Sequence, residues 1–154
     1  MKVSIRRMTL EDVPTVHEID MLSFSLPWPE RSFRFELTEN PVSRSWVVES
    51  GGRIAAMLVL WVILDEAHIA TIATHPDFRR QGIGEQLLIA GLLSARAEGA
   101  AHAFLEVRSG NEDALALYKK NGFVVVGGRT RYYKDNNEDA VLMNLEDLNG
   151  LEAA

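Results

Sequence analysis

The sequence predicts an α/β (α+β) fold, one domain built on a mixed sheet flanked by helices. Three observations lead there. The chain has 154 residues, 47% of them hydrophobic, which suits a single core. A strand-rich first half is followed by two helix-patterned stretches and then a second strand section. Between these sections an apolar run, Ile69 to Thr74, leads through a glycine-bearing loop into a long helical pattern with Leu87, Leu88, Leu92 and Leu93.

The elements follow in order. Val3 to Arg6 alternates as a first strand. Thr9 with Asp12 forms an N-cap signal, and Leu10, Val13, Val16 and Ile19 give a helical stripe behind it. Ser25-Leu26-Pro27-Trp28-Pro29 is a loop, because two prolines break both helix and strand; Pro29 can open a second helix carrying Phe33 and Leu37. Trp46 to Glu49 and Ile54 to Leu64 read as strands around the turn Ser50-Gly51-Gly52-Arg53. Asp65-Glu66 turns into a strand from Ala67 to Thr74, which His75-Pro76-Asp77 ends. Gly82 to Glu98 is the long central helix, with Gly99 as its C-cap signal. Ala103 to Arg108 alternates as a strand. Ser109-Gly110-Asn111 turns and can cap a helix from Asn111 to Asn121, which Gly122 stops. Phe123 to Val126 and Ala140 to Leu145 read as strands around a polar loop. Phe33, Trp46 and Trp61 are assigned to core packing.

Composition narrows the function. A formal charge of −6 makes nucleic acid an unlikely main partner and suits a basic protein or peptide. With no cysteine there is no disulfide, thiolate metal site or Cys nucleophile. His17, His68, His75 and His102 lack ligand spacing, so no metal is expected, and His75 is read as a surface residue. Met1 to Arg7 lacks the apolar stretch of a leader peptide. The longest apolar run, Ile54 to Leu64, is far short of the roughly 20 residues of a membrane helix. The expectation is a cytoplasmic protein with no membrane partner.

The most informative segment is Arg79-Arg80-Gln81-Gly82-Ile83-Gly84. Strand, glycine loop and helix start stand in sequence there. That order aims free backbone N–H groups, at the positive end of a helix dipole, at whatever lies above the loop. Gly82 and Gly84 let an anion approach the main chain, and two arginines can fork onto phosphate oxygens. The segment therefore reads as a pyrophosphate site; an ordinary strand-to-helix turn is the alternative. A P-loop fits poorly, because Glu85 follows Gly84 where Lys belongs. A dinucleotide fingerprint fits poorly, because Leu87 stands at the third small position.

The hexapeptide resembles the acyl-CoA loop of the GNAT acetyltransferases, Gln/Arg-x-x-Gly-x-Gly/Ala. A longer pattern joins it: Phe104 to Arg108, Asn111, Ala114, Leu117-Tyr118, Gly122-Phe123, Arg129, Tyr132-Tyr133 and Glu138-Asp139-Ala140, together with Pro27-Trp28. Across nearly the whole chain this resembles the RimI-type N-terminal-alanine acetyltransferases of a ribosomal protein. The resemblance implies the GNAT fold, with a mostly antiparallel sheet, over residues 1–147 and a short tail at 148–154. It implies acetyl-CoA as donor, CoA as product, and a protein N terminus, that of an alanine-first ribosomal protein, as acceptor. It implies that Ile72, Ala73 and Thr74 offer main-chain contacts to the pantetheine arm like an added strand. The stretch Arg79, Arg80, Gln81, Gly82, Ile83, Gly84 and Glu85 would hold the diphosphate, and Asn111 would contact CoA through its side-chain amide.

The resemblance makes Glu106 the proton acceptor, and an apolar surround would tune its pKa upward. The other reading makes Glu106 a partner of Arg108 or of a helix N–H. Tyr118 matches the general acid, which also contacts CoA; otherwise it is a core aromatic. Leu26, Pro27, Trp28, Tyr132, Tyr133 and Glu138 fall where relatives hold the peptide, with Glu138 able to meet a cation; otherwise these aromatics cover sheet edges. The amine would attack directly in a ternary complex. A lysine or small-amine acceptor, a non-catalytic CoA-binding module and a dinucleotide-dependent protein are the competing functions. Oligomeric state is not legible.

Overall fold

The computed structural model describes residues 3–152. Met1 and Lys2 of the leader reading, and residues 153 and 154 of the expected tail, lie outside them. The chain runs β1 (Val3–Arg7), α1 (Val13–Ser23), α2 (Glu30–Thr38), β2 (Ser43–Ser50), β3 (Arg53–Ile63), β4 (Glu66–Thr74), α3 (Ile83–Ala97), β5 (His102–Arg108), α4 (Glu112–Lys120), β6 (Val124–Arg129) and β7 (Ala140–Leu145). These strands form one seven-stranded sheet of order β1-β2-β3-β4-β5-β7-β6. Only the β4–β5 pair is parallel.

The sheet is central because β3 is apolar on both faces. Met57 and Val59 point to one layer with Val13, Val16 and Ile19 of α1 and Phe33 of α2. Leu58 and Leu60 point to the other with Leu87, Leu88 and Leu92 of α3. All of these side chains are fully buried, each worth about 1.5–3 kcal/mol of transfer free energy. Gly91 lets α3 lie close on β3, since a Cβ there would collide with Leu58.

The strand readings from sequence hold to within a residue for β1, β3, β4, β5 and β7, and three differences have clear causes. The α1 pattern starts late: Leu10–Asp12 is a 3-10 turn and Leu10 faces solvent, while α1 itself begins at Val13. Asp12 accepts the Thr9 N–H at 2.7 Å and two Arg6 bonds, so the cap signal is real but closes the short turn first. β2 begins at Ser43 rather than Trp46, because backbone pairing to β3 continues through polar residues that carry no alternation signal. β6 runs on through Gly127 and Gly128 to Arg129, where two glycines suggested a loop; a bulge between Val125 and Gly127 lets the edge strand absorb them. Trp46 and Trp61 are half-buried at the sheet margin rather than within the core; Phe33 is fully buried.

The site depends on where the sheet opens. The β4–β5 pairing covers only Glu66–His68 against His102–Phe104. Beyond it the two strands part. A β-bulge helps: Val59 pairs with Thr71 and Leu60 with Ile69, leaving Ala70 as the extra residue that bends β4. From Ile69 onward, one edge of β4 therefore has no strand neighbour among the described residues.

Candidate active site

A cavity of about 580 Å³ fills the opening between the parted strands. Its floor is Ile69 to Ile72 of β4 and Leu105 to Arg108 of β5. Asp20, Leu26 and Trp28 close it from the α1–α2 side. Asn111 and Tyr118 of α4, and Tyr133 and Glu138 of the β6–β7 loop, complete it. Residues far apart in sequence thus meet because three loops converge where the sheet splits. Pro27 and Tyr132 do not line the cavity, although both were expected at the peptide.

At one end stands the glycine loop. Gly82 caps α3 with φ +76°, a left-handed conformation that glycine adopts freely, and a Cβ there would point into open space. At Gly84 a Cβ would stand 3.0 Å from Thr74 Oγ1, so this glycine also seats α3 against the end of β4. Arg79 is engaged within the chain although exposed: its Nε donates to the Thr74 carbonyl at 2.9 Å and its Nη2 to Ser23 Oγ at 3.2 Å. Arg80 and Gln81 are exposed. The Glu85 carboxylate accepts from Asn121 Nδ2 at 2.9 Å and Lys120 Nζ at 3.1 Å, which ties α3 to α4 and holds it below its ordinary pKa. What Glu85 leaves for a ligand is its main chain. Asn111 is the cap its position allowed, and it also faces the cavity. Its Oδ1 caps α4 by accepting the Ala114 N–H at 3.3 Å, while the side chain lines the cavity. Ile72 lines the cavity, Ala73 is buried toward α1, and Thr74 meets Gly84.

The middle of the cavity holds two titratable side chains from β5 and α4. Glu106 alternates outward between buried Leu105 and Val107. Its surround is not the apolar one expected: the side chain is 36% exposed and accepts from Arg129 Nε at 3.3 Å. Arg108, the partner expected in the non-catalytic reading, turns elsewhere. Tyr118 is 5% exposed, packs on Phe123 and still reaches the cavity. Burial pushes its phenol up to about 12, so it remains protonated through the neutral range.

The far end is a side-chain network. Arg108 Nη1 pairs with Asp135 at 3.0 Å and Glu138 at 3.3 Å, and its guanidinium stacks 4.0 Å from the Tyr133 ring centre. Ser25 of the α1–α2 loop hydrogen-bonds Asp135, so the loops on both sides of the cavity are joined. Glu138 also accepts the Gly110 N–H at 2.6 Å; that bond first, then Asn136 and Arg108, holds it below the usual carboxylate range. The cation expected near Glu138 is therefore this chain's own Arg108. Burial, followed by the charge of Glu106, pushes the Tyr133 phenol up.

Asp20 received no role from sequence. It is 1% exposed, lines the cavity and accepts the Trp28 N–H through Oδ2 at 2.7 Å. Its Oδ1 has no hydrogen-bond partner among the described residues, and burial raises its pKa. A signal existed: Asp20 lies four residues after Val16 on an otherwise apolar helix face. Arg108 and Asp135 gave no comparable signal, because charged residues near loops are usually solvated. Among the described residues no group of three or more His, Asp or Glu is placed to hold a metal ion, and no helix is long and apolar enough to cross a membrane.

The sequence profile of the Acetyltransferase (GNAT) family matches residues 13–123. The chain belongs to that family. It is an acetyltransferase, and its acetyl donor is acetyl-CoA. It is 41% identical over 142 residues to a Bacillus subtilis protein provisionally named a ribosomal protein bS18-alanine N-acetyltransferase, covering 92% of this chain and 94% of that one. It is 34% identical over 153 residues to the Escherichia coli ribosomal protein bS18-alanine N-acetyltransferase, covering 92% and 96%. The crystal structure of the ribosomal-protein-S18-alanine N-acetyltransferase from Escherichia coli matches with a TM-score of 0.86 over 94% of this chain and 93% of that one. The GNAT fold expected from the loop and the longer pattern is thus the fold observed.

Proposed function

We propose that this acetyltransferase modifies the N-terminal α-amine of a protein, an alanine-first ribosomal protein of the S18 kind, in the cytoplasm. The observation that carries the reading is the meeting of Glu106 and Tyr118 in one cavity with Leu26, Trp28 and Tyr133. The names of relatives 41% and 34% identical along nearly their full lengths support the same acceptor. Residues 1–147 would make up the catalytic domain and 148–154 its tail.

The donor half of the chemistry has a suitable frame. The unpaired edge of β4 at Ile72 to Thr74 can take the pantetheine arm as an added strand. Main-chain N–H groups from Arg80 to Glu85 can take the diphosphate, with Arg80 and Gln81 in solvent beside them and the Asn111 amide at the cavity wall. When bound, acetyl-CoA supplies a thioester carbonyl at the parted strands.

Glu106 would take the proton of the acceptor amine. A protein α-amine has a pKa of about 7.7–8.0 against about 10.4 for lysine, so a modest base suffices near neutral pH. The Tyr118 hydroxyl would donate to the departing sulfur. A thiol of pKa about 8.5 is more acidic than this buried phenol, so the first contribution of Tyr118 is a hydrogen bond made strong by its dry surroundings. Leu26 and Trp28 would receive the first side chain of the peptide, and Tyr132, Tyr133 and Glu138, with Pro27 shaping the loop, would border its backbone.

The test is acetyl-CoA turnover against three peptides of one sequence: Ala-first with a free amine, the same blocked at the amine with an internal lysine, and a first-residue variant with a large side chain. Turnover of the first alone is expected. Turnover of the blocked lysine peptide at a comparable rate would overturn the acceptor assignment.

A further inference from the structure

Two cations have reason to occupy one carboxylate. Glu106 already holds Arg129, the last residue of edge strand β6, at 3.3 Å. The Arg129 side chain is 55% exposed, and its guanidinium also lies 5.6 Å from the Tyr132 ring centre. The guanidinium that lines the cavity, Arg108, is committed to Asp135, Glu138 and Tyr133. Arg129 is thus the cation that neutralises Glu106, on a strand with one partner and two glycines just before it. A half-exposed ion pair of this kind is weak and easily exchanged.

An acceptor amine reaches a neutral-pH enzyme largely as an ammonium, and it must sit against Glu106 to lose its proton. With Arg129 in place one oxygen of that carboxylate, Oε1, is already taken. We infer that Arg129 is a displaceable counter-ion. It holds the Glu106 carboxylate in place in the free enzyme, yields to the acceptor's α-ammonium, and withdraws to the face of Tyr132. Arg129 is then a positioning residue that sets the affinity for the acceptor by competing with it. This rests on the reading of Glu106 as proton acceptor.

The test compares wild type, Arg129→Gln and Arg129→Lys, using CoA with an Ala-first peptide to form a complex that cannot turn over. Arg129→Gln should bind the peptide about two- to fivefold more tightly, the factor an exposed ion pair supports, with a matching fall in KM and kcat maintained. Arg129→Lys should restore wild-type affinity. Loss of a purely structural contact would not tighten binding. In the wild type, the Arg129 Nε–H resonance should move when the peptide is added and stay when its N-acetylated form is added, a readout that needs no variant. Unchanged or weaker peptide binding in Arg129→Gln, or an Arg129 resonance indifferent to the free amine, would overturn the proposal. Glu106→Gln separates the two readings. If it retains full turnover, the base assignment falls whatever Arg129 does. If it is inactive while Arg129→Gln binds no more tightly, only the counter-ion falls.

Discussion

The two ends of the cavity are built from different materials. The donor end is main chain: the unpaired edge of β4, the Gly82 turn and the first amides of α3, all within Ile69 to Glu85. The acceptor end is side chain: Ser25, Arg108, Tyr133, Asp135 and Glu138, brought together from two separate loops and the end of β5. Backbone geometry is set locally and tolerates many side chains. A network of charged side chains exists only once the fold has brought them together, and it can be changed one residue at a time. A donor frame that tolerates side-chain change, beside an acceptor rim that does not, follows from that difference.

The comparison can be broken most forcefully between the two ends. Glu106→Gln should lower kcat by about 10²–10⁴ with CoA affinity nearly unchanged, measured by steady-state kinetics beside calorimetry. Tyr118→Phe should lower kcat by about 10²–10³, since it removes one buried donor to the departing sulfur, and should also weaken CoA binding. Gly82→Val attacks the donor end alone. It forces a β-branched residue to φ +76° and puts bulk into the open space where the proposed diphosphate site lies. CoA affinity should fall at least tenfold, on the order of 1–3 kcal/mol, with some loss of Tm from strain. Arg108→Met should do the opposite: the loops lose their tie, peptide KM rises severalfold, about 1 kcal/mol, and CoA affinity stays.

The remaining effect concerns stability and leaves both ends of the cavity in place. Asp20 has its folded pKa raised by burial, so the folded state binds more protons than the unfolded one. Its contribution is most favourable at low pH and is lost as pH rises through the folded pKa. Asp20→Asn can keep the Trp28 N–H bond while removing that penalty. The variant should be at least as stable as wild type at neutral pH, by up to about 1–2 kcal/mol in denaturant melts, with the difference closing below about pH 4.

The same contrast explains what could be read beforehand. The glycine turn into α3 was legible because it is backbone geometry, and a left-handed Gly82 before a leucine-striped helix leaves its mark in consecutive residues. Even there the packing of Gly84 and the hydrogen bonds of Arg79 were not legible. Contact with Thr74 and Ser23 is a tertiary fact, and the sequence places Thr74 ten residues before Gly84 with no sign that they touch. β6 was cut short because Gly127-Gly128 resembles a turn, and only pairing to β7 reveals a strand. Glu106 and Tyr118, which the structure brings to one cavity, were singled out through family resemblance. The pairing of Glu106 with Arg129 and of Arg108 with Asp135 spans 23 and 27 residues and leaves no periodic trace.

The central claim is that the main-chain amides around Gly82 and along the open edge of β4 hold coenzyme A. Titration of ¹⁵N-labelled protein with CoA tests it directly. The amides of Ile72 to Thr74 and Gln81 to Glu85 should show the largest shifts, and those of Gly127 and Gly128 on β6 should stay still. Shifts centred on the β6–β7 loop, with Gly82 and Gly84 unmoved, would contradict it.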